Sequence, residues 1–262
     1  MTEEVATSTT PQVLGDSIVT LITVPAGFMR TTIEASTFGH YLRNLSLKAP
    51  GTSVHHFDGS LKRNQSAHFA VIDMEVGTRD LQQCADAIMR LRAEYLWQQK
   101  KYQAIAFHFT NGFLASYARW RGGERIQVTG NQVKWVQSSS RNSSISYQSF
   151  RKYLNMVFAY AGTLSLAKEL NTKSLDEIEI GDVFIQGGSP GHAVIVVDMA
   201  VHTETGEKLV LLAQSYMPAQ DIHVLVNPSD VQRSPWYTTN EMKGIFRTPE
   251  WDFSDNDLKS FD

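Results

Sequence analysis

The chain lacks the features that mark several common classes of protein. It has one cysteine in 262 residues, Cys84, so neither an intramolecular disulfide nor a four-cysteine zinc site can form. Its net charge is -3, without a long run of lysine and arginine, so we expect neither nucleic acid nor an anionic membrane as a partner. No apolar stretch approaches the roughly 20 residues of a membrane-spanning helix, and we predict no transmembrane segment.

The first residues are polar and rich in threonine. We predict that residues 1–14 form a disordered polar tail, because they contain too little apolar surface to pack. They also lack the basic and apolar regions of a signal peptide. The expected location is therefore cytoplasmic, or extracytoplasmic if a targeting segment has been removed from the chain. Oligomeric state has no signature in the sequence.

What is present is typical of one globular domain. Apolar residues make up 42% of the chain and charged residues 19%, and the length is ample for one sizeable core. No internal repeat or linker interrupts it. We therefore predict a single α+β domain over residues 15–262, with elaborations near the N-terminus and in the middle.

Local patterns predict the main elements of the first two thirds of the chain. Residues 16–24 are rich in β-branched side chains and are expected to form a strand. Apolar residues at helical spacing predict helices over residues 37–47, 79–99 and 147–170, the last broken at Gly162. Further expected elements are strands at 69–76 and 104–109, a hairpin that turns at 129–131 and a polar loop at 138–144. Beyond this region, residues 228–262 are expected to wrap the domain without regular structure.

The most informative segment follows at residues 181–214. A strand at 181–185 leads through a glycine-rich turn to a buried strand that begins at His192. Thr205 and Gly206 then reverse the chain into a strand that ends at Gln214. Because antiparallel neighbours run in opposite directions, this hairpin is expected to bring His192 and Gln214 to the same end of the sheet.

Three of these residues are suited to thiol chemistry. A cysteine nucleophile needs a base, and the base needs a third group that holds its ring. Cys84 lies near the start of a predicted helix, His192 can act as the base, and Gln214 can orient His192. The positive end of a helix dipole favours a thiolate, so a Cys84–His192 ion pair is expected to lower the pKa of the thiol below about 8.5.

The segment from Gly181 to Val197, with sequence GDVFIQGGSPGHAVIVV, resembles the histidine segment of NlpC-type and CHAP-type cell-wall amidases. These belong to the papain-like superfamily of cysteine peptidases and amidases. In them the strand after the histidine ends with the third polar residue, a position that Gln214 matches. The chain as a whole also resembles an uncharacterised bacterial family of similar length.

The resemblance implies a papain-like fold, in which the helix with Cys84 packs on a central antiparallel sheet that carries His192. It also implies a peptide or amide substrate, with peptidoglycan stem peptides as the substrate class. By analogy with papain-like proteases, Gln82 or Gln83 could supply an amide to an oxyanion hole. We predict no cofactor.

The cysteine segment departs from that pattern. NlpC-type enzymes have Asp-Cys-Ser-Gly at the helix start, whereas this chain has Asp-Leu-Gln-Gln-Cys-Ala-Asp at 80–86. A helix that begins at Thr78 would place Cys84 in its second turn, where the dipole acts weakly. If residues 79–83 are extended, Cys84 stands at the helix start and the resemblance holds.

Three functions remain open on these residues. The first is a thiol hydrolase that cleaves an amide or peptide bond with Cys84, His192 and Gln214. The second is a binding or scaffold module of the same fold without chemistry, in which Cys84 is a buried helix residue. The third is an acyltransferase that uses the same groups.

Other polar residues have structural interpretations. Asp198 is about 20 Å along its strand from His192, too far to orient it, and Asp182 is expected to bond nearby backbone amides. The remaining histidines have no metal-ligand spacing, and we predict no metal site. Five aromatic residues could line a groove: Trp120, Trp135, Tyr216, Trp236 and Trp251. Because aromatic side chains at such positions more often belong to the core, we predict a core role for them.

Overall fold

The computed structural model of the chain describes residues 16–138 and 145–262. The predicted tail, and most of a polar loop expected at 138–144, lie outside these residues. The described chain is an α+β domain with six α-helices: α1 (Ile18–Leu21), α2 (Phe38–Arg43), α3 (Cys84–Gln98), α4 (Tyr117–Arg121), α5 (Tyr147–Tyr160) and α6 (Thr163–Glu169).

The same residues form fifteen strands. The first seven are β1 (Phe28–Arg30), β2 (His68–Val71), β3 (Ala106–His108), β4 (Leu114–Ser116), β5 (Glu124–Thr129), β6 (Gln132–Gln137) and β7 (Asn171–Thr172). The other eight are β8 (Val183–Gln186), β9 (His192–His202), β10 (Lys208–Gln214), β11 (His223–Leu225), β12 (Tyr237–Thr238), β13 (Ile245–Arg247), β14 (Asp252–Ser254) and β15 (Leu258–Ser260).

Nine strands form one antiparallel sheet around β9. Its order is β2-β11-β10-β9-β8-β15-β7, with β1 added to β9 and β12 added to β10. The other strands form three small hairpins, β3–β4, β5–β6 and β13–β14. Among the described residues no helix has both the length and the apolar character needed to cross a membrane.

Both faces of the central sheet are covered, which explains why β9 is apolar almost without interruption. Ile195 and Val197 on one face pack into a core shared with α3 and α5. Val194 and Val196 on the other face pack against the C-terminal segment through Phe246 and other residues. A strand covered on both sides has no need for polar residues at alternate positions.

The hairpin expected from the sequence is confirmed. β9 and β10 pair antiparallel from Lys208 opposite Val201 to Ala213 opposite Ile195. Gly206 lies in the connecting turn, and His192 and Gln214 stand at the same end of the sheet. The predicted break at Gly162 and the hairpin at 124–137 are also confirmed.

Three predictions about elements were wrong in part or in full. Residues 16–24 contain the short helix α1 and no strand, because Ile18 and Ile22 pack inward from a helical turn. The helix predicted over 79–99 begins only at Cys84, which is the second of the two starts that the sequence left open. The C-terminal tail, expected to lack regular structure, contributes β15 to the main sheet at Phe184.

Asp182 has the structural role expected from the sequence, whereas Asp198, whose sequence position predicts a turn residue at the end of its strand, lies inside β9. Asp198 is fully buried and pairs with Arg30 at 2.7 Å and Arg43 at 2.5 Å, so its charge is compensated away from His192. Asp182 accepts a hydrogen bond from the backbone N–H of Glu179 at 2.7 Å. This bond closes the turn that leads into β8.

Candidate active site

A cleft of about 720 Å³ lies where the start of α3 meets the ends of the central strands. Cys84 and His192 both line it. Its walls come from the loop before α3, the α5–α6 junction, the glycine-rich turn before β9 and the aromatic residues Tyr216 and Trp251. Of the five aromatic residues considered from the sequence, these two are the ones that border the cleft.

Cys84 is the first residue of α3, with Gln83 as an extended N-cap. The helix starts here because tertiary contacts hold the preceding loop in another conformation. Asp80 accepts hydrogen bonds from the backbone N–H of Ala219 and from the Gln83 side chain, and Ser215 donates to the carbonyl of Gln82. The thiol therefore stands at the positive end of the α3 dipole.

His192 is the first residue of β9, and Gln214 is the last residue of β10. Nε2 of His192 lies 2.8 Å from Oε1 of Gln214, and both side chains are buried. An amide oxygen can only accept, so Nε2 carries the ring proton and Nδ1 is left with its lone pair. The backbone N–H of Ala193, the next residue, lies beside the thiol of Cys84.

Burial decides the charge state of the two groups. It raises the pKa of Cys84 to about 11, with Asp86 adding to the rise and the backbone amides of Ala85 and Ala193 opposing it. Burial also lowers the pKa of His192 to about 4, against the opposite effect of its bond to Gln214. A resting thiolate–imidazolium pair with a lowered thiol pKa, expected from the sequence, is therefore wrong: the structure favours a neutral pair.

The two oxyanion candidates lie in different places. Gln83 lines the cleft, and its side-chain amide donates to Asp80 at 3.0 Å. Gln82 is buried and does not line the cleft, and its amide oxygen accepts from Arg90 at 2.5 Å. Of the pair, only Gln83 could therefore reach a substrate in this conformation.

Three residues behind His192 were not among the candidates predicted from the sequence. Glu250 accepts from the Gln214 side chain at 2.8 Å and from Lys62 at 2.8 Å. His223 lies on the other side of the same amide, at 3.4 Å. Lys62 and Glu250 are 188 positions apart, and no local pattern could have paired them. His223 follows Gln214 closely enough that a strand-register argument could have found it.

Asp86 is a further acidic residue at the cleft. Its Oδ2 accepts from the backbone N–H of Gln83 at 3.1 Å and caps α3, while its buried Oδ1 has no partner among the described residues. Burial raises the pKa of Asp86 well above its usual range. Within the described chain no group of three or more histidine, cysteine, aspartate or glutamate residues is arranged to hold a metal ion.

Comparison with known proteins identifies the family. No curated protein and no solved structure matches the chain. Residues 18–260 match the family DUF4846, described as a domain of unknown function (4846). This match spans nearly the whole described domain, including the cleft and every residue around it. The chain therefore belongs to the DUF4846 family.

Proposed function

We propose that this protein is a thiol hydrolase with a papain-like arrangement, which cleaves an amide or peptide bond by means of Cys84, His192 and Gln214. The observation that carries the proposal is the shared cleft of Cys84 and His192, with Gln214 bonded to the far nitrogen of the imidazole. A nucleophile, a base and an orienting group are the parts that such a reaction needs.

In the proposed first half-reaction, the substrate carbonyl lies beside Cys84. Nδ1 of His192 takes the thiol proton as Sγ attacks the carbonyl carbon, so the thiolate forms only as the new bond forms. The negative oxygen of the tetrahedral intermediate lies near backbone N–H groups at the start of α3 and the Gln83 side chain. The proton then passes from Nδ1 to the leaving amine, which departs and leaves a thioester.

The second half-reaction restores the enzyme. Nδ1 of His192 accepts a proton from water, the hydroxide attacks the thioester carbon, and a second tetrahedral intermediate expels Sγ. The same proton returns to the sulfur, and the free acid leaves. An amine in place of water would make the reaction an acyl transfer with the same groups.

The lining of the cleft bears on the substrate class. Its acidic residues among those described are Asp80 and Asp86, and the raised pKa of Asp86 favours a neutral carboxyl there. Neither lysine nor arginine is among its lining residues. Much of the remaining wall is apolar, as at Phe158 and Leu164. This composition favours peptides that are neutral or cationic next to the scissile bond. Peptidoglycan stem peptides, the class implied by the sequence resemblance, are the first substrates to test.

A non-catalytic binding or scaffold module is the second candidate. The observation that favours it is the burial of the thiol: Cys84 is 8% exposed, and its pKa is raised to about 11. Such a thiol is inert unless a base activates it. The two candidates therefore differ in whether Cys84 reacts at neutral pH with an electrophile that occupies the cleft.

The test uses a peptidyl vinyl sulfone, which reacts with base-activated thiols, followed by mass spectrometry. Because Cys84 is the only cysteine, every labelled thiol is Cys84. We expect labelling at pH 7 in the native protein and at least about 100-fold slower labelling in His192→Ala, since general base catalysis contributes roughly that factor. Hydrolysis of purified peptidoglycan, followed by released amines, is measured in parallel.

Cys84→Ala serves as the matched control for hydrolysis. We expect it to lose activity by about 10⁴-fold or more, because the nucleophile is gone. Its unfolding free energy should change by only about 1 kcal/mol, since a small side chain is removed. Equal labelling of wild type and His192→Ala would favour the scaffold module, whereas full hydrolysis by Cys84→Ala would rule out Cys84 as the nucleophile.

A further inference from the structure

A buried polar chain extends from His192 away from the cleft. Nε2 of His192 bonds Oε1 of Gln214 at 2.8 Å, and Nε2 of Gln214 donates to Oε2 of Glu250 at 2.8 Å. The same carboxylate oxygen accepts from Lys62 at 2.8 Å. Gln214 is 1% exposed and Lys62 5%, so water cannot substitute freely for these partners.

Glu250 restricts the orientation of the Gln214 amide. A carboxylate paired with a lysine has no proton to donate, so the group that Gln214 turns towards it must be the NH₂ group. Lys62 is itself held in place, with its ammonium 5.0 Å from the centre of the Tyr216 ring. The reverse orientation would set the amide oxygen against the carboxylate and leave a buried donor unpaired.

His223 favours the same orientation from the neighbouring strand. It lies directly opposite Gln214 in the pairing of β10 with β11. Its Nδ1 is 2.9 Å from the carbonyl oxygen of Asp221, which can only accept, so Nδ1 carries the proton. Burial lowers the pKa of His223 to about 3, and its Nε2 therefore presents a lone pair to the Gln214 amide nitrogen at 3.4 Å.

We infer that Glu250, held by Lys62, and His223 are positioning residues that act through Gln214 to fix His192 in the tautomer with its proton on Nε2. With the amide nitrogen committed to two acceptors, only the amide oxygen remains for His192. Nδ1 is then the one ring nitrogen able to accept a proton. The use of Nδ1 as a base towards Cys84 rests on the proposed function, whereas the tautomer itself does not.

The experiment measures the tautomer by ¹⁵N NMR of histidine-labelled protein at pH 7. The two ring nitrogens differ in chemical shift according to which one is protonated, and the His192 signals are identified by their loss in His192→Gln. In wild type we expect the Nε2–H form alone. Free histidine in the same buffer gives the tautomer ratio of an unconstrained ring.

The decisive variant is the double replacement Lys62→Met/Glu250→Leu. It removes the acceptor for Gln214 without leaving an unpaired buried charge, and such replacements of a buried ion pair are often tolerated. We expect Nδ1–H signals of His192 to appear. Adding His223→Phe to the double variant should bring the ratio of the two His192 tautomers towards that of free histidine. Glu250→Gln is the isosteric control, because its amide oxygen can still accept from Lys62 and Gln214, and it should keep the wild-type spectrum.

Circular dichroism and the signals of the other histidines report whether each variant is folded. If the double variant does not fold, wild type is compared with the combined variant His223→Phe/Glu250→Gln. We expect this combined variant to show a partial loss of the Nε2–H form of His192. The inference is overturned if wild-type His192 carries its proton on Nδ1, or if the folded variants that lack the acceptors keep the wild-type spectrum. Failure of the proposed function would differ: Cys84 would be unreactive while His192 kept its Nε2–H form.

Discussion

At the scale of single residues, opposing effects act on the thiol of Cys84. Its position at the first residue of α3 and the nearby backbone amides stabilise a thiolate, whereas burial and the carboxyl of Asp86 destabilise it. Burial is the larger effect, and the pKa rises to about 11. A resting neutral thiol is protected from solvent oxidants, and it depends on His192 for activation.

The charge state can be tested by alkylation of Cys84 with iodoacetamide between pH 6 and 12. With the pKa raised to about 11, we expect the alkylation rate to increase mainly at pH values well above 8.5, because the thiolate is the form that reacts. The same protein unfolded in urea is the control and should give a midpoint of about 8.5. A native midpoint at or below that of the unfolded chain would show that α3 and His192 outweigh burial.

At the scale of elements, the pairing of β9 with β10 determines which face of the sheet carries Gln214. The pairing begins with Lys208 opposite Val201. If this register continued without a shift, Gln214 would lie opposite Ile195, on the face away from His192. Between Leu211 and Leu212 the pairing shifts by one residue, because Val197 of β9 is an extra residue without a partner in the β10 register. Gln214 then comes opposite Val194, and its side chain lies on the same face as His192.

The glycine-rich turn before β9 is equally constrained. A Cβ at Gly191 would lie 2.5 Å from Oγ1 of Thr163 and 2.7 Å from the carbonyl oxygen of Gln186. Gln186 pairs with His192 in the sheet, so relief of the contact must move the start of β9. Thr163 also donates to the carbonyl of Gly188 within the turn. Gly191 thus permits the close approach of α6 to the start of β9, where His192 lies.

We expect Gly191→Ala to lower the unfolding free energy by about 1–3 kcal/mol, the usual cost of an overpacked site. Displacement of His192 should also slow vinyl sulfone labelling of Cys84. Gly162→Ala is the control for stability, because a Cβ at Gly162 meets no atom within 4 Å. Since Gly162 lines the cleft, the labelling rate of Gly191→Ala is compared with that of wild type. Equal unfolding free energies of the two variants in urea would contradict a steric role for Gly191.

At the scale of the whole molecule, the sheet is enclosed on both faces, and this enclosure buries titratable groups. The helical core and the core beneath the C-terminal segment leave His192 1% exposed and His223 fully buried. Burial lowers the pKa of both below the usual range, to about 4 and about 3. The folded state therefore excludes protons that the unfolded chain binds below about pH 6.5.

This difference predicts a pH-dependent stability. As the pH falls from 6.5 towards 4, the unfolded state gains a proton on His223 and the folded state does not, so wild type loses up to about 1.4 kcal/mol per pH unit from this group. Buried carboxyls with raised pKa values, such as that of Asp86, act in the opposite direction. The contribution of His223 is therefore isolated by comparison with His223→Phe.

The measurement is the free energy of unfolding in urea for both proteins at pH 8, 6, 5 and 4.5. At pH 8 their difference reports packing and the hydrogen bonds of the His223 ring, without a contribution from protonation. We expect the stability cost of His223→Phe to shrink as the pH falls, because the variant has no imidazole to protonate at this position. A cost that stays constant over the whole range would mean that His223 has the same proton affinity in both states.

How much of the structure could be predicted from the sequence depends on how far apart in the chain the interacting residues are. The hairpin of β9 and β10 and the break between α5 and α6 were predictable, because strand alternation, turns and helix periodicity are encoded in neighbouring residues. Residues 16–24 were assigned as a strand from β-branched residues, yet burial of Ile18 and Ile22 favours a helical turn. Local propensity was overridden there by tertiary packing.

Local sequence patterns are sufficient to place a histidine at the start of one buried strand and a glutamine at the end of the next, with a turn that brings both to one end of the sheet. The remaining features of the site come from contacts between distant parts of the chain. Contacts of Asp80 and Ser215 begin α3 at Cys84, and the bulge in β9 brings Gln214 to the same face as His192. The burial that neutralises the thiol and the imidazole, and the pairing of Lys62 with Glu250, depend on packing between residues far apart in the chain, which no local pattern encodes.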